Sequence, residues 1–271
     1  MKSPYIIWLY WEFKPGFTEK PAYLDICKST IDKNLSKDFS VIQLNQESIY
    51  RYIAKSELCI EDLDRVCNIP QKTDYYRLLL LKKYGGVWLD SDMIVFRSLK
   101  VYVDKLVKEQ LDYIGFGCYY EDCARRENGG PRPANWCMIS PPKGKLITSA
   151  LEETEEILKF EPQRLRQNYH CLGKDLLWKH IVKLQKDSPS WSYHHVSSRC
   201  VERDHMGQKL TNDRMLSDEE MDEVCKPKLI FIPIYNTAPG FPAWFLTMNR
   251  KEILESKMLI GKLFRYALEE K

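Results

Sequence analysis

The feature that most constrains the fold is an apolar helix pattern that runs through a glycine pair directly into a buried strand. Residues 72–83 place leucines and tyrosines on one face, which predicts a helix. Gly85 and Gly86 follow it, and glycine is favoured just beyond the end of a helix. Residues 87–89 then predict a buried strand that stops at Asp90. A helix that returns directly as a buried strand is typical of folds in which helices cover a sheet.

The same alternation of helices and strands continues along the chain. Short apolar or alternating runs predict strands at residues 5–9, 39–44, 93–96, 113–118, 136–140 and 229–234. Apolar residues at helical spacing predict helices at residues 21–35, 46–54, 101–108, 145–159, 174–184 and 251–269. The first strand, helix and strand imply a parallel pair joined by a right-handed crossover. We therefore expect an α/β fold with a mostly parallel central sheet flanked by helices.

The composition excludes several classes of protein. The 271 residues are 44% hydrophobic and 29% charged, which is ordinary for a globular protein. The formal net charge of +3 is too small to argue for nucleic-acid binding. No apolar run approaches the length of a membrane span, and the run near the N-terminus is too short for a signal peptide. We therefore expect a cytoplasmic protein that does not bind nucleic acid.

The remaining segments carry few structural signals. The nine cysteines show neither a CxxC pair nor zinc-ligand spacing, which favours buried thiols in a reducing compartment. Cys118 and Cys123 flank a polar loop over residues 121–133 and are the one pair considered for a disulfide. Residues 197–228 are polar and predict an insertion or flap rather than core. Because no repeat or flexible linker interrupts the chain, we interpret residues 1–271 as a single domain.

Two aspartates follow the buried strand directly, at the end where α/β sheets bind their ligands. Asp90 and Asp92 are one residue apart and reach one crevice once the chain turns. Carboxylates this close repel each other, and a divalent cation removes that cost. Oxygen ligands suit Mg²⁺ or Mn²⁺, which are usually shared with substrate phosphates. A D-x-D pair alone is a weak signal, with solvated turn carboxylates as the alternative, but the apolar strand before Asp90 favours a cation and a nucleotide diphosphate.

A second charged pair lies on the predicted helix before this strand. Thr73 or Asp74 is expected to cap that helix, and Arg77 lies three residues after Asp74, hence on the same face. The alternative is an ordinary surface ion pair, worth roughly 0–1 kcal/mol. The glycine reversal brings the start of the helix to the sheet edge at which the strand ends. Arg77 is therefore expected to hold Asp90 or Asp92, and Asp74 to accept hydrogen bonds from a sugar hydroxyl.

The run TDYYRLLLLKKYGGVWLDSDMIVF, residues 73–96, resembles the D-x-D region of nucleotide-sugar glycosyltransferases of the capsular polysaccharide synthesis type, similar to glycosyltransferase family 32. Their signature reads roughly S/T-D, two residues, R, then L, then YGG-x-Y/W-x-D-x-D, and this chain matches each position. The resemblance is specific over roughly residues 5–100. It implies a GT-A-like nucleotide-sugar-binding fold with a donor-binding half over about 1–118 and an acceptor-side half over about 119–271.

The resemblance implies a role for each matched residue. Asp92 corresponds to the carboxylate that ligates the metal, and Asp90 to one that contacts ribose, sugar or a metal-bound water. Asp74 and Arg77 correspond to a pair that contacts the donor sugar and braces the carboxylates. Trp11 corresponds to an aromatic residue that stacks on the nucleotide base. We expect Asp90 and Asp92 to hold Mn²⁺ or Mg²⁺, and both of them with Arg77 to be catalytic.

Further residues are assigned to the site by their positions. Tyr10 belongs to the run Ile6–Trp11, which resembles the opening strand of the family, and Ser91 lies between the two aspartates. The resemblance implies that both residues are near the donor. Asn135 precedes a predicted strand where relatives place a residue facing the donor sugar, with a turn asparagine as the alternative. Asp175 opens a predicted helix, either as an acceptor-side catalytic residue or as a carboxylate stabilised by the helix dipole. Trp244 lies in a loop rich in proline and glycine, where it either donates to the diphosphate or packs.

Late histidines and a late loop provide weaker candidates. His194 and His195 are candidates for a third metal ligand, although a structural histidine pair is the favoured interpretation, and His205 has the same status. Tyr235 and Asn236 follow the last predicted strand and open the loop that contains the late tryptophan. Such a loop is suited to closing over a diphosphate.

The sequence predicts a metal-dependent glycosyltransferase and leaves two alternatives open. One is a haloacid-dehalogenase-like phosphatase, in which the first aspartate is the nucleophile. That family favours Thr or Val two residues after the second aspartate, where this chain has Ile94. The other is a non-catalytic module that binds nucleotide-sugars. By resemblance we expect retention at the anomeric carbon, with the departing phosphate taking the proton of the acceptor.

The substrates are predicted only by class. A UDP-sugar is the favoured donor and GDP-mannose the alternative, while the acceptor is expected to be a glycan or glycolipid. Basic residues of the last predicted helix, namely Lys251, Lys257, Lys262 and Arg265, suggest at most a peripheral contact with a membrane. A solvated helix face is the alternative to that contact.

Overall fold

A computed structural model describes residues 5–13, 16, 19–117, 132–221, 229–235 and 241–269. Its strands are β1 (Ile6–Tyr10), β2 (Ser40–Leu44), β3 (Gly86–Leu89), β4 (Met93–Val95), β5 (Tyr113–Phe116), β6 (Ala134–Ser140), β7 (Tyr193–Val196) and β8 (Phe231–Pro233). Its longer helices are α1 (Ala22–Leu35), α3 (Ile69–Tyr84), α4 (Lys100–Lys108), α5 (Lys145–Phe160), α7 (Lys174–Asp187) and α11 (Leu259–Leu268). The shorter ones are α2 (Leu63–Val66), α6 (Arg164–Gln167), α8 (Asn212–Leu216), α9 (Ala243–Thr247) and α10 (Arg250–Glu255).

Within these residues the main sheet has the strand order β2-β1-β3-β6-β5-β7. β1 is parallel to β2 and to β3, and β5 is parallel to β7. β6 runs antiparallel to both of its neighbours, so it alone among the strands of this sheet is reversed. The predicted mostly parallel α/β sheet is confirmed, including the parallel pair around the first crossover. The carboxyl ends of β1, β3 and β5 and the start of β6 consequently meet at one edge.

Helix α3 begins earlier than the sequence pattern predicted. Asn68 is its cap, because the Asn68 side chain accepts from the backbone N–H of Gln71 at 3.0 Å, and the Gln71 side chain accepts from the N–H of Asn68 in return. The prediction that Thr73 or Asp74 caps the helix is therefore wrong. The Thr73 hydroxyl donates instead to the carbonyl of Ile69 one turn back. This reciprocal arrangement is a capping box, and it leaves Asp74 in the interior of the helix.

The reversal from α3 into β3 depends on two glycines in left-handed conformations. Gly85 ends the helix with φ of 66°, and a Cβ there would lie 2.6 Å from the ring of Pro142. Gly86 has φ of 95°, and a Cβ there would lie 2.7 Å from the carbonyl oxygen of Ile6 on β1. Both positions thus exclude side chains by strain and by contact. The glycine pair fixes the direction in which β3 enters the sheet.

The two faces of the sheet are covered by separate hydrophobic clusters. Trp8 and Trp88, on β1 and β3, face one cluster, which includes apolar residues of α3, α5 and α7. Ile7 and Leu89 face the other cluster, which includes apolar residues of α4. Successive strand residues therefore alternate between two buried faces, as expected where helices cover both sides of a sheet. A third cluster packs α1, α10 and α11 against the short antiparallel pair of β4 and β8.

Residues 197–221 differ from the flap that the sequence predicted. Val201, Leu210 and Met215 are buried and belong to the hydrophobic clusters. These few apolar residues are separated by polar side chains, so the sequence did not show the periodic pattern of a core segment. They nevertheless anchor the segment to the core. Residues 222–228 of the predicted flap lie outside the described residues. The same holds for residues 118–131, which include Cys118, Cys123 and most of the predicted loop.

The single C-terminal helix predicted from the sequence is two helices, α10 and α11. Ser256 follows α10 with extended backbone, and its hydroxyl donates to the carbonyl of Ile253. A Cβ on Gly261 would lie 2.4 Å from the Ser256 hydroxyl and 2.5 Å from that carbonyl. The glycine therefore allows α11 to cross closely over the end of α10. In the part of the chain that is described, no helix combines the length and the hydrophobicity needed to span a bilayer.

Candidate functional site

The two aspartates lie where the sequence placed them, at the sheet edge just after β3. The backbone N–H of Asp90 donates to the carbonyl of Trp136 on β6 at 2.8 Å. The buried hydroxyl of Ser91 donates to the carbonyl of Tyr10 at the end of β1 at 2.9 Å. The carbonyl of Asp92 accepts from the backbone N–H directly after β8 at 2.9 Å. The D-x-D turn is therefore fixed to three neighbouring segments, by its backbone at Asp90 and Asp92 and by the side chain of Ser91.

Arg77 connects the helix to the turn. Its side chain is buried, and Nη2 lies 3.3 Å from Oδ1 of Asp74 and 3.4 Å from Oδ1 of Asp90. Nη1 donates to the backbone carbonyl of Asn135, at the start of β6. The Asn135 side chain donates in turn to Oδ1 of Asp74 at 2.7 Å. The structure thus brings together four of the residues selected from the sequence, although Asn135 lies inside β6 rather than before a strand.

Both braced carboxylates are held at one oxygen. Oδ1 of Asp90 accepts from the indole N–H of Trp88 at 2.7 Å and also faces Arg77. Oδ1 of Asp74 faces Arg77 and accepts from Asn135. Within the described parts of the chain, neither Oδ2 atom accepts a hydrogen bond. Each carboxylate consequently keeps one oxygen that accepts no hydrogen bond from these residues.

The carboxylates are poorly compensated as charged groups. Burial, with the charge of Asp90 acting in the same direction, raises the pKa of Asp92 to about 8 against weaker lowering effects. Burial also raises the pKa of Asp74 to about 6, although Arg77 and Asn135 lower it. The pKa of Asp90 is raised by burial as well, with Arg77 and the Trp88 N–H acting in the opposite direction. One arginine therefore does not balance three acidic groups, and a bound cation would relieve the imbalance.

The donor set fits a hard divalent cation. Asp90 and Asp92 offer carboxylate oxygens, which are the ligands that Mg²⁺ and Mn²⁺ prefer in proteins. The Asp90 side chain is 31% exposed, so an ion has access to it from solvent. Across the described ranges, no group of three or more His, Cys, Asp or Glu residues could hold a metal ion. The two aspartates are thus compatible with an ion that takes its remaining ligands from water and substrate.

The start of α7 lies against the same carboxylates. A Cβ on Gly173 would approach Nδ2 of Asn135 to 2.7 Å and Oδ2 of Asp74 to 2.9 Å. Asp175 is in the first turn of this helix, and its Oδ2 accepts from the Asn168 side chain at 3.3 Å. The helix has no side-chain cap. Asp175 therefore lies two residues from the backbone that contacts the site, with a local partner of its own.

The end of β1 supplies an aromatic and charged wall. Tyr10 is buried, and its hydroxyl donates to Glu12. Glu12 also accepts from the buried side chain of Lys72 at 2.7 Å, and Lys72 bonds to Asp64 as well. The hydroxyl of Tyr10 is therefore engaged by Glu12 of the same chain. Its ring packs against Tyr76 with the ring centroids 5.5 Å apart.

Trp11 follows β1 and packs against the third hydrophobic cluster. Its indole Nε1 is buried and has no hydrogen-bond partner among the described residues, although its backbone N–H donates to the carbonyl of Leu44. The Phe245 ring of α9 packs against Tyr23 near the start of α1, with centroids 5.7 Å apart. Helix α9 therefore lies at the sheet edge where β1 ends. Trp244, beside Phe245, is 52% exposed on a helix rather than in the predicted loop.

The structure does not bring the late histidines to the aspartates. His194 and His195 are on β7, and two strands separate β7 from β3. At about 4.8 Å per strand this is roughly 14 Å. His195 Nε2 lies 2.7 Å from the carbonyl oxygen of Gly117, and burial lowers the pKa of His195 to about 4. His205 is exposed. The favoured interpretation of the histidine pair as structural agrees with this arrangement.

The late loop is only partly described. The hydroxyl of Tyr235 donates to Glu202, and the Lys209 ammonium lies over the Tyr235 ring at 4.7 Å. Tyr235 is thus engaged within the protein. Asn236 lies outside the described residues.

Three residues next to the carboxylates were missed by sequence reasoning. Trp88 was taken only as a core residue, although it is two positions before Asp90 and hence on the same face of β3. Gly173 carried no signal beyond its place before a helix. Lys72 entered only as the first residue of the predicted helix, and its buried ion pair with Glu12 was not predicted.

Comparisons with known proteins identify the family and the fold of this chain. A family model described as "Capsular polysaccharide synthesis protein" matches residues 1–156. Among solved structures, the galactosyltransferase LgtC, in complex with donor and acceptor sugar analogs, is similar over 97% of this chain and 95% of its own, with 13% identity and a TM-score of 0.50. This likeness confirms the GT-A-like architecture. No curated protein matches the sequence.

Two further structures are similar at lower scores. A glycosyltransferase involved in the glycosylation of the major capsid of PBCV-1 covers 87% of this chain and 95% of its own, with 12% identity and a TM-score of 0.42. The PaToxG glycosyltransferase covers 69% of this chain and 70% of its own, with 16% identity and a TM-score of 0.40.

Proposed function

This chain belongs to the family of capsular polysaccharide synthesis proteins, and from that premise we propose that it is a metal-dependent glycosyltransferase. It transfers a sugar from a nucleotide-sugar donor, with a UDP-sugar favoured over GDP-mannose, to a glycan or glycolipid acceptor. The observation that carries the proposal is the Arg77 brace, which leaves one free oxygen on Asp74 and one on Asp90 at the ligand-binding edge of the sheet.

The aspartates of the turn are assigned to the cation. Asp92 and Asp90 would hold Mn²⁺ or Mg²⁺ through their carboxylate oxygens. When bound, such an ion acts as a Lewis acid that stabilises the charge of the departing diphosphate. Arg77 keeps Asp90 oriented and offsets part of the negative charge before the donor arrives. The raised pKa of Asp92 supports this assignment, because a bound cation would stabilise the carboxylate form that burial disfavours.

The other residues are assigned to the donor and the acceptor. The free oxygen of Asp74 accepts a hydrogen bond from a hydroxyl of the donor sugar, and Asn135 fixes the orientation of that carboxylate. Trp11 and Tyr10 line the nucleotide side at the end of β1. Asp175 lies on the acceptor side at the start of α7. Trp244, which is half exposed on α9, is assigned to the diphosphate as a donor through its indole N–H.

The transfer itself requires no dedicated protein base in this proposal. The bond between the anomeric carbon and the diphosphate oxygen breaks, and the acceptor oxygen forms a bond to the same carbon. The proton of the acceptor hydroxyl passes to an oxygen of the departing phosphate. Fixed charges at the site lower the barrier by stabilising the negative charge that develops on the diphosphate. Retention of anomeric configuration is the expected outcome.

A donor screen tests the proposal. Purified protein is incubated with common UDP- and GDP-sugars, with Mn²⁺ or with EDTA, and release of the nucleoside diphosphate is measured. We expect release with at least one donor, in Mn²⁺ only. The variant Asp92→Asn should lower that rate by about 100-fold or more, because a carboxylate ligand is lost. Asp104→Asn is the matched control, since Asp104 is an exposed carboxylate on α4 that bonds to Tyr5 and Lys100.

Other outcomes contradict the proposal in distinct ways. Hydrolysis of p-nitrophenyl phosphate with trapping of an aspartyl phosphate would favour a phosphatase. Metal-dependent nucleotide binding without turnover, over a broad panel of acceptors, would favour a binding module. Equal donor turnover in EDTA and Mn²⁺ would remove the metal from the proposal.

A further inference from the structure

Trp88 contacts both charged residues that define the donor-side crevice. Its indole Nε1 donates to Oδ1 of Asp90 at 2.7 Å. The Arg77 guanidinium lies over the face of the same ring, with its Cζ 5.0 Å from the ring centroid. The Trp88 side chain is fully buried on β3. One rigid aromatic ring therefore contacts the carboxylate and the cation that faces it.

These contacts determine which oxygen of Asp90 is presented. A short N–H bond to a carboxylate is among the stronger hydrogen bonds in proteins. Together with Arg77 at 3.4 Å, it engages Oδ1 and leaves Oδ2 as the open atom. The ring also limits the position of Arg77, because stacking on an aromatic face restricts a guanidinium that otherwise has many rotamers. The orientation of Asp90 thus depends on a residue that reaches no ligand itself.

A neighbouring tryptophan shows what packing alone would require. Trp8 lies directly beside Trp88 in the parallel register of β1 and β3, and it is equally buried. Its indole N–H donates to the carbonyl of Gly85 at 2.9 Å, at the opposite end of β3. Both rings fill the same hydrophobic cluster. They differ in that one N–H reaches a backbone carbonyl and the other reaches a carboxylate of the site.

We propose that Trp88 is a positioning residue, which orients Asp90 for the metal-bound nucleotide through its indole N–H and holds Arg77 through its ring. This inference rests on the function proposed above, because Asp90 must contact the metal or the donor for its orientation to count. Groups that orient metal ligands typically change metal affinity or activity by about 10–100-fold when they are lost. We therefore expect Trp88 to control nucleotide binding in the presence of metal as well as turnover.

The test compares Trp88→Phe with Trp8→Phe, which remove equivalent N–H groups from adjacent positions. Binding of UDP is measured by calorimetry in Mn²⁺ and in EDTA, and thermal unfolding is measured without ligand. Both variants should lose similar stability. Only Trp88→Phe should weaken Mn²⁺-dependent UDP binding, by about tenfold. If Trp88 only fills the core, the two variants should instead bind UDP equally well in Mn²⁺.

A double-mutant cycle checks that Trp88 acts through Asp90. In an Asp90→Ala background, Trp88→Phe should change Mn²⁺-dependent UDP affinity by less than about twofold, because the acceptor of its N–H is gone. An undiminished tenfold effect in that background would overturn the inference. Should Trp88→Phe not fold, site-specific replacement of Trp88 by 3-benzothienylalanine keeps the ring size and removes the N–H. Unchanged UDP binding in that variant would equally overturn it.

The wild-type measurement separates this inference from the proposed function. If wild-type protein binds neither UDP nor GDP in a metal-dependent manner, the proposed function fails and Trp88 has no metal-bound ligand to serve. If wild type binds but both phenylalanine variants bind equally well, the function stands and the positioning role of Trp88 is wrong.

Discussion

At the scale of the residue, the site pairs buried acids with too little positive charge. Arg77 faces Asp74 and Asp90, yet the pKa of Asp92 remains raised to about 8 because burial and Asp90 disfavour its charged form. The folded protein therefore holds a proton on Asp92 at pH values where the unfolded chain, with a pKa near 3.9, has lost it. The contribution of this group to the free energy of unfolding falls as pH rises from about 4 to about 8.

The direction of this pH dependence gives a prediction that can be tested without a substrate. Without metal, Asp92→Asn should unfold about 2–4 °C above wild type at pH 8, because it removes a destabilising charge on the order of 1 kcal/mol. Below about pH 3 the two proteins should unfold at similar temperatures, since Asp92 is then mostly protonated in both states of the wild type. Calorimetric scans in EDTA across this pH range measure the difference. A variant that is less stable than wild type at pH 8 would show that the charged form of Asp92 is favoured in the fold.

At the scale of the element, α3 carries Arg77 and Asp74 to the edge, so its cap tests the helix boundary. Asn68→Ala should lower the free energy of unfolding by about 1 kcal/mol, because the reciprocal bonds with Gln71 are lost. UDP affinity in Mn²⁺ should be unchanged, since the cap lies more than one turn from Asp74. Thr73→Ala, at the cap expected from the sequence, is the matched control and should change stability much less. Equal losses in the two variants would contradict the boundary.

Whether a contact was predicted from the sequence depends on how far apart its residues are along the chain. Arg77 and Asp74 were placed together by helical spacing, and Asp90 by its position after an apolar strand, because both signals are local. The Asn68 cap was missed because the apolar periodicity begins after it. The contact of Gly173 with Asp74 and the pairing of Lys72 with Glu12 join distant segments. A local sequence pattern carries no information on contacts between distant segments. The grouping of Asp74, Arg77 and Asp90 was therefore predictable, whereas the contacts of Gly173 and Lys72 were not.

The role of Trp88 was within reach of the sequence. Residues two apart on a strand share a face, so Trp88 had to lie on the same side as Asp90. An indole N–H in a core needs a partner, and the nearest carboxylate on that face was the obvious acceptor. The apolar pattern identified Trp88 as a core residue, and the hydrogen-bonding capacity of its indole nitrogen was not considered.

At the scale of the whole molecule, the site joins segments that are distant in the chain. The backbone of the D-x-D turn bonds to β6 and to the segment after β8, and the Ser91 hydroxyl donates to the end of β1. The main sheet and the short β4–β8 pair therefore meet at this turn. Helix α3 joins the site through the ion pair of Arg77 with Asp90, and the start of α7 joins it through the contact of Gly173 with Asp74. A ligand held by Asp90 and Asp92 would therefore stabilise contacts between the main sheet, the short pair and the helices together.

Because the proposed ligand binds as an ion with a diphosphate, its two parts should stabilise the protein only in combination. UDP at about 100 times its dissociation constant, with Mn²⁺, should raise the unfolding temperature by about 5–10 °C, from a linkage contribution of about 2.7 kcal/mol. Mn²⁺ alone or UDP in EDTA should give less than about 2 °C, since bare carboxylates repel the diphosphate. Asp104→Asn should retain the shift and Asp92→Asn should lose it. An equal shift with UDP in EDTA would place the nucleotide away from the two aspartates.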